Sequence, residues 1–182
     1  MGMASPIYYT AYMVRTLPDD GRRYEVVRGE LLVTPAPRAW HQVLHSRLHS
    51  ALSTYLAQEP IGIVLSSPAD ISWAEDVLVQ PDLFVVPQAE VRTLDWAQMR
   101  HLLLAVEVLS PSTTRADRFT KRAEYQRQGV PVYWIVDGEA KTVEVWTPDD
   151  RFPAQATDRL SWHPQGAREA MRIALPELFR PV

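Results

Sequence analysis

A mixed α/β fold, with a central mixed sheet flanked by helices and an N-terminal β-hairpin, is predicted by three features of the sequence. Residues 102–110, LLLAVEVLS, are apolar on both alternating faces, as expected of a strand at the centre of a sheet. Residues 41–58 repeat Leu44, Leu48, Leu52, Tyr55 and Leu56 at helical spacing. Strand-like and helix-like segments also alternate along the chain, with a charged helical stretch between two apolar runs.

Taken in order, YEVVRGELLV (24–33) reads as two short strands joined at Arg28-Gly29, a hairpin turn. PAPRAW breaks the chain before the amphipathic helix of 41–58. IGIVLSS (61–67) is strand-like. ADISW (69–73) and VQPDLFVVP (79–87) together read as a strand broken by an acidic turn at Glu75-Asp76. Residues 88–100 are more polar and form a connection with some helical character. After the strand of 102–110, Ser110-Pro111 stops the ladder, because proline cannot donate to it. A helix is predicted from about Thr114 to Gly129, with Thr114 and Asp117 spaced as an acidic capping box and Gly129 suited to the C-terminal cap. VPVYWIVD (130–137) and KTVEVWTP (141–148) follow as strands around Asp137-Gly138. The tail from 149 mixes strand with a short final element, MRIALPELF.

Composition narrows the function. The 182 residues are 46% hydrophobic and 23% charged, ordinary values for one globular domain with a real core. No boundary or repeat divides the chain, so residues 1–182 are expected to form a single domain with its core at about 24–147. No apolar run approaches the roughly 18 residues of a transmembrane helix, and the start has no secretory pattern. The absence of cysteine excludes disulfides, thiol nucleophiles and thiolate metal sites, and fits a cytoplasmic protein. A formal net charge of −3 gives no general attraction to nucleic acid, so contact with DNA has to come from a local basic patch. No G-x-S-x-G elbow, phosphate-binding P-loop or dinucleotide fingerprint is present.

The feature that asks for chemistry is Glu107 in the middle of LLLAVEVLS. A carboxylate in such a strand carries a large desolvation cost unless a metal, a cation or several hydrogen bonds compensate it. Asp82, in QPDLFVV, opens another apolar strand. If the two strands are neighbours, Asp82 and Glu107 can converge on one divalent cation, since carboxylates, water and a backbone carbonyl are the ligands Mg²⁺ prefers. In the next helix Asp117, Lys121 and Tyr125 fall at i, i+4 and i+8, one stripe, and Lys121 has the reach to approach a bound water or phosphate.

The series PDLFVV, LLLAVEVLSPST, then Asp117, Lys121, Tyr125 and GVPVYWIVD resembles the Uma-type restriction-endonuclease family, a branch of the PD-(D/E)XK nuclease superfamily. YEVVRGELL and a helix opening with His41 are similar to that family's N-terminal part, and the likeness spans roughly Tyr24 to Trp146. The resemblance implies a restriction-endonuclease-like domain and a metal-dependent phosphodiesterase, a DNA endonuclease. Asp82 matches the aspartate of the PD element and Glu107 the acid of the second half-motif. The lysine expected two residues later is replaced by Leu109, and Lys121 supplies the basic group from the next helix.

On that resemblance Asp82 and Glu107, with the carbonyl of Val108, hold Mg²⁺ or Mn²⁺, which acidifies a bound water and polarises the phosphoryl oxygens. Lys121 orients the attacking water or stabilises developing charge, and Asp117 and Tyr125 hold Lys121 in place. Glu25 and His41 are weaker candidates for further ligands or substrate contacts. The amides at Ser112 to Thr114, together with Arg115, Arg118, Arg122 and Arg127, are candidate phosphate contacts. A homodimer is a reasonable expectation, because duplex cleavage often uses paired sites.

Blander readings accompany these. Glu107 can be a structural ion-pair partner, and Asp117 can simply cap its helix. His41, His45 and His49 at four-residue spacing suggest zinc less than the polar side of the first helix. Glu25 and Glu30 flank a turn and can be solvated. Two other functions remain open: a catalytically silent nuclease fold that binds nucleic acid or protein, and a metal-dependent hydrolase of another phosphate ester.

Overall fold

A computed structural model describes residues 7–182. The first six residues, over which the reading of no secretory signal begins, lie outside the described residues. A short helix α1 (Ala11–Arg15) leads into the hairpin β1 (Arg23–Val27) and β2 (Glu30–Thr34). Its turn is the expected Arg28-Gly29, with φ of 52° and 80°. Positive φ at both central residues gives the turn twist that suits a two-residue hairpin. Helix α2 (Ala39–Gln58) begins two residues before the predicted start and buries Leu44, Leu48, Leu52, Tyr55 and Leu56, the predicted stripe.

β3 (Gly62–Ser66), β4 (Ile71–Ala74), β5 (Val77–Val79) and β6 (Leu83–Pro87) follow. The segment 79–87 is not continuous with β4. It divides at Gln80-Pro81-Asp82, so β5 pairs with β4 and β1 in one sheet while β6 joins another. Pro81 cannot donate to a ladder, and the Gln80 amide instead donates to Glu25 Oε1 at 2.7 Å. Residues 88–100 carry one helical turn, α3 (Gln88–Val91), and a 3₁₀ turn at Trp96–Gln98. β7 (Leu104–Val108) is buried along its whole length, as its two-faced apolar pattern predicts.

The helix after β7 begins at Thr114, as read, but Thr114 does not cap it: its hydroxyl donates back to the Ser110 carbonyl at 2.9 Å. A turn precedes the helix, in which Thr113 Oγ1 accepts the Ser110 amide at 3.2 Å and Pro111 sits where no donor is needed. The segment Ala116–Lys121 is π-helical and continues as α4 (Arg122–Arg127), and Gly129 closes it with φ of 68°. β8 (Tyr133–Asp137) and β9 (Thr142–Trp146) follow, then β10 (Ala154–Ala156), β11 (Arg159–Trp162), β12 (Met171–Ala174) and α5 (Leu175–Leu178).

The main sheet has the order β10-β9-β8-β7-β6-β3, with β7 and β8 parallel and the other pairs antiparallel. Its two faces bury different partners, as the two-residue period requires. Leu83, Val85, Leu104, Val106, Trp134 and Val136 pack on α2. Phe84, Ala105, Tyr133 and Ile135 pack instead on Tyr125 of α4 and on Val27, Ile71 and Val79 of the four-stranded sheet β2-β1-β5-β4. Glu107 belongs to this second face, so its carboxylate points into the layer between the two sheets and the helix.

Candidate active site

The register of β6 against β7 sets the first relationship. Leu83 faces Val106 and Phe84 faces Ala105. One more step of the same antiparallel register puts Asp82 opposite Glu107, on the face shared by Phe84 and Ala105. Asp82 Oδ2 accepts the backbone N–H of Val108 at 2.8 Å. The carboxylate therefore continues the ladder where Pro81 ends it, and it is fixed beside the residue that follows Glu107.

Three further groups surround Asp82. Arg23, from β1, donates through Nη1 to Oδ1 at 2.7 Å. His41 Nε2 lies 3.0 Å from Oδ2, and His45 Nε2 lies 3.1 Å from the Asp82 carbonyl oxygen. The two histidines are one helical turn apart on α2 and face the site. They do not lie on a solvated polar side, which corrects the sequence reading for both. Burial pushes the Asp82 carboxyl up, but the His41 contact, the Arg23 guanidinium and the charge of Lys121 outweigh it and hold it well below the usual range.

Glu107 has a different environment. It is 1% exposed, accepts the Tyr125 hydroxyl through Oε1 at 3.1 Å and forms an ion pair with Lys121 through the same oxygen. Burial dominates its titration, and the neighbouring acids Asp82, Asp117 and Glu25 add to it against Lys121, so the carboxyl is pushed well above the ordinary glutamate range. Lys121 is also 1% exposed, 2.9 Å from Glu25 Oε1 and 3.8 Å from Asp117 Oδ1. Burial lowers its pKa, but Glu107, Glu25 and Asp117 outweigh that and keep the ammonium charged. Asp117 is pushed up to about 6, first by burial. It is therefore no simple helix cap. The π-helical turn carries both Asp117 and Lys121 and directs both inward.

Glu25, read both as a weaker site candidate and as a residue that can be solvated, is 1% exposed, accepts the Gln80 amide and forms an ion pair with Lys121. Glu30 is exposed, as read. Of the four arginines considered for flanking phosphates, three have partners within the chain. Arg118 pairs with Glu144 at 2.8 Å and Asp137 at 3.3 Å, Arg122 stacks over Trp146, and Arg127 pairs with Glu124. Arg115 is exposed. Arg23 was missed in the sequence and His45 was assigned to the polar side of its helix, although a signal for the site existed for each. Arg23 is two residues from Glu25 on a strand and His45 is four from His41 on a helix, so each shares its neighbour's face.

Asp82, Arg23, His41, His45 and Val108 open onto a cleft of about 720 Å³. Its walls are the segment after α1, the loop 34–38, the loop 67–70 and the turn Ser110–Thr113. Glu107, Lys121 and Glu25 are not among the lining residues and lie beneath the Asp82 floor. The acids offer hard oxygen donors, which suit Mg²⁺ or Mn²⁺. Among the described residues no cluster of three or more His, Asp or Glu side chains forms a ready cage. A pair of carboxylates is nonetheless the usual protein share of a Mg²⁺ site, where water and substrate phosphate complete the shell. The donor set fits such a cation.

Residues 11–178 match the profile of the Uma2 family, described as "Putative restriction endonuclease". The chain belongs to the Uma2 family. Among solved structures it resembles a "putative nuclease belonging to DUF820" from Anabaena variabilis ATCC 29413, with a TM-score of 0.79 and 19% identity, over 94% of this chain and 97% of that one. At that identity the likeness is one of fold, and it gives the Uma2 chain the fold of that protein. Comparison with curated proteins gives no match. No helix of the described residues is long and apolar enough to cross a membrane.

Proposed function

We propose that this Uma2 protein is a Mg²⁺- or Mn²⁺-dependent phosphodiesterase, an endonuclease acting on DNA, with Asp82, Glu107 and Lys121 as its catalytic residues. The observation that carries this reading is the buried convergence of the three from separate elements, at the foot of a cleft of about 720 Å³. Family membership and the nuclease-like fold support the same reaction class.

Asp82 and Glu107, with the Val108 carbonyl, would hold the cation. When bound, the cation supplies charge neutralisation at a phosphoryl oxygen and a more acidic water. The remaining work belongs to the chain. Lys121 presents its ammonium to charge that develops on the phosphoryl oxygens, where low dielectric makes a preorganised cation most effective. Glu25, Asp117 and, through Glu107, Tyr125 fix the position of that ammonium. His41 fixes Asp82. We also propose a homodimer for cutting both strands of a duplex, which sedimentation in the presence of DNA would test.

A silent interaction module, the competing reading, calls for a Lys121 ammonium turned to solvent, and the 1% exposure of Lys121 speaks against it. The deciding experiment is cleavage of plasmid DNA with Mg²⁺ and with Mn²⁺ by wild type, Glu107→Gln and Lys121→Ala. Divalent-dependent cleavage that drops by about 10³-fold or more in both folded variants is expected, as for loss of a main electrostatic group. Cleavage by none of the proteins under either metal would end the assignment.

A further inference from the structure

We propose that Arg23 is the substrate-phosphate ligand of this site, parked on Asp82 until a cation and a substrate are present. The inference rests on the reading of Asp82 and Glu107 as the cation site, and it concerns a residue that the lysine and the two acids do not account for.

The geometry of Arg23 differs from that of a purely structural arginine. It lines the cleft, while its side chain remains 19% exposed, against 1% for Lys121. Its Nη1 holds Asp82 Oδ1 at 2.7 Å. Its Nε is buried with no hydrogen-bond partner and stands 3.7 Å from Glu25 Oε2, too far for a hydrogen bond. A guanidinium has five donors arranged for planar, bidentate recognition of oxyanions, and here its edge is only partly used. His41 beside it has the same character: Nε2 is on Asp82 and Nδ1 is buried without a partner. Asp82 thus carries two side-chain partners on the side that faces the cleft.

Electrostatics gives the exchange its direction. Arg23 and Lys121 already supply positive charge to the carboxylates of Glu25, Asp82 and Glu107. A divalent cation on Asp82 competes directly with Arg23 for Oδ1. Lys121 is 1% exposed and beneath the cleft floor, whereas Arg23 borders the cleft and can turn towards it. A phosphodiester entering that cleft offers Arg23 two oxygens in place of the one it loses. Of the other arginines that line the cleft, Arg15 pairs with Asp70, Arg22 lies beside Asp20 and Arg38 is exposed, whereas Arg23 alone holds Asp82.

The exchange makes a prediction of opposite sign in two measurements. Arg23→Met removes the competitor for Asp82, so Mn²⁺ should bind the DNA-free protein more tightly, by about tenfold in a titration followed by electron paramagnetic resonance. The same variant should cleave plasmid DNA about 10²-fold more slowly at saturating Mn²⁺. Its binding of a fluorescein-labelled 20-base-pair duplex in Ca²⁺ should lose one phosphate contact, read as a salt slope shallower by about 0.9. Arg23→Lys, which keeps the charge without the planar fork, should recover part of the cleavage; it also serves if Arg23→Met does not fold. Weaker Mn²⁺ binding in a folded Arg23→Met or Arg23→Lys would overturn the proposal, since a merely structural Arg23 predicts a loss in both measurements. Unchanged cleavage in Arg23→Met, with wild type active, would sink the role of Arg23 alone. Wild type that neither binds Mn²⁺ nor cleaves would sink the cation-site reading, and this inference with it.

Discussion

Asp82 accepts the amide of Val108 at 2.8 Å, so the acid at the mouth of β6 is tied to the residue immediately after the acid at the centre of β7. That bond holds the Asp82 carboxylate beside the Glu107–Val108 backbone. The environments of the two carboxylates nevertheless push their titrations in opposite directions, Asp82 down and Glu107 up. Divergence of this kind between adjacent acids is characteristic of a site and uncommon in a surface ion pair.

Lys121 and Glu107 form a pair in which both members are 1% exposed. Lys121→Met should destabilise the protein by about 3–5 kcal/mol, because it leaves buried acids without their cation. Glu107→Leu should cost less, since Lys121 keeps Glu25 at 2.9 Å. The double variant should be more stable than the sum of the two losses. Urea unfolding of the four proteins measures the coupling, and additivity of the two losses would contradict it.

Asp117 gives stability a distinct pH dependence. Its folded pKa of about 6 lies above the unfolded value of 3.8. A raised carboxyl favours the folded state fully below the unfolded pKa, and that contribution is lost as pH rises through about 6. Wild type should therefore lose stability relative to Asp117→Asn between pH 4 and pH 7, by about 3 kcal/mol from this group. Asp82 works in the other direction, since its contribution is present above pH 3.8 and lost only in stronger acid. Unfolding free energies of both proteins at several pH values make the comparison, and parallel curves would refute it.

Glu124 is fully buried and takes Arg28 through two bonds of 3.0 Å, with Arg127 and Gln128 completing its shell. This clip joins the hairpin turn to α4, and so ties β1, which carries Glu25, to the helix that follows Lys121. Glu124→Gln should lower stability by about 2–3 kcal/mol, the loss of charge-assisted bonds. It should also reduce cleavage, although Glu124 does not touch the cleft. Thermal melting and the plasmid assay together test this, and full activity after a large loss of stability would show that the clip does not position Lys121.

Gly138 lies against the start of α2, where a Cβ would come within 2.6 Å of Leu44 Cδ1 and 2.7 Å of Trp40 Nε1. Its carbonyl accepts the Trp40 indole at 3.3 Å. Gly138→Ala should therefore cost about 1–3 kcal/mol through overpacking. It should also weaken cleavage by displacing His41, which lies next to Trp40. A variant as stable as wild type would show that α2 shifts freely.

The sequence by itself determined the hairpin, the stripe of α2, the buried strand β7 and the residues proposed here to bear the chemistry. Each rests on local periodicity or on one charged residue out of place, as Glu107 is among leucines and valines. Tertiary structure decided the rest. Whether 79–87 is one strand or two depends on which sheet each half joins, and neither half carries that information. Glu25 and His41 could be read as site candidates or as solvated residues, and His45 as solvated, because an exposed turn or helix face and a buried one have the same composition. Only the packing of β1 and α2 over Asp82 distinguishes them. Lys121 could be named from its spacing to Asp117 and Tyr125. Its burial between Glu25 and Glu107 depended on three distant segments meeting, because the stability of a buried charge is set by neighbours in space.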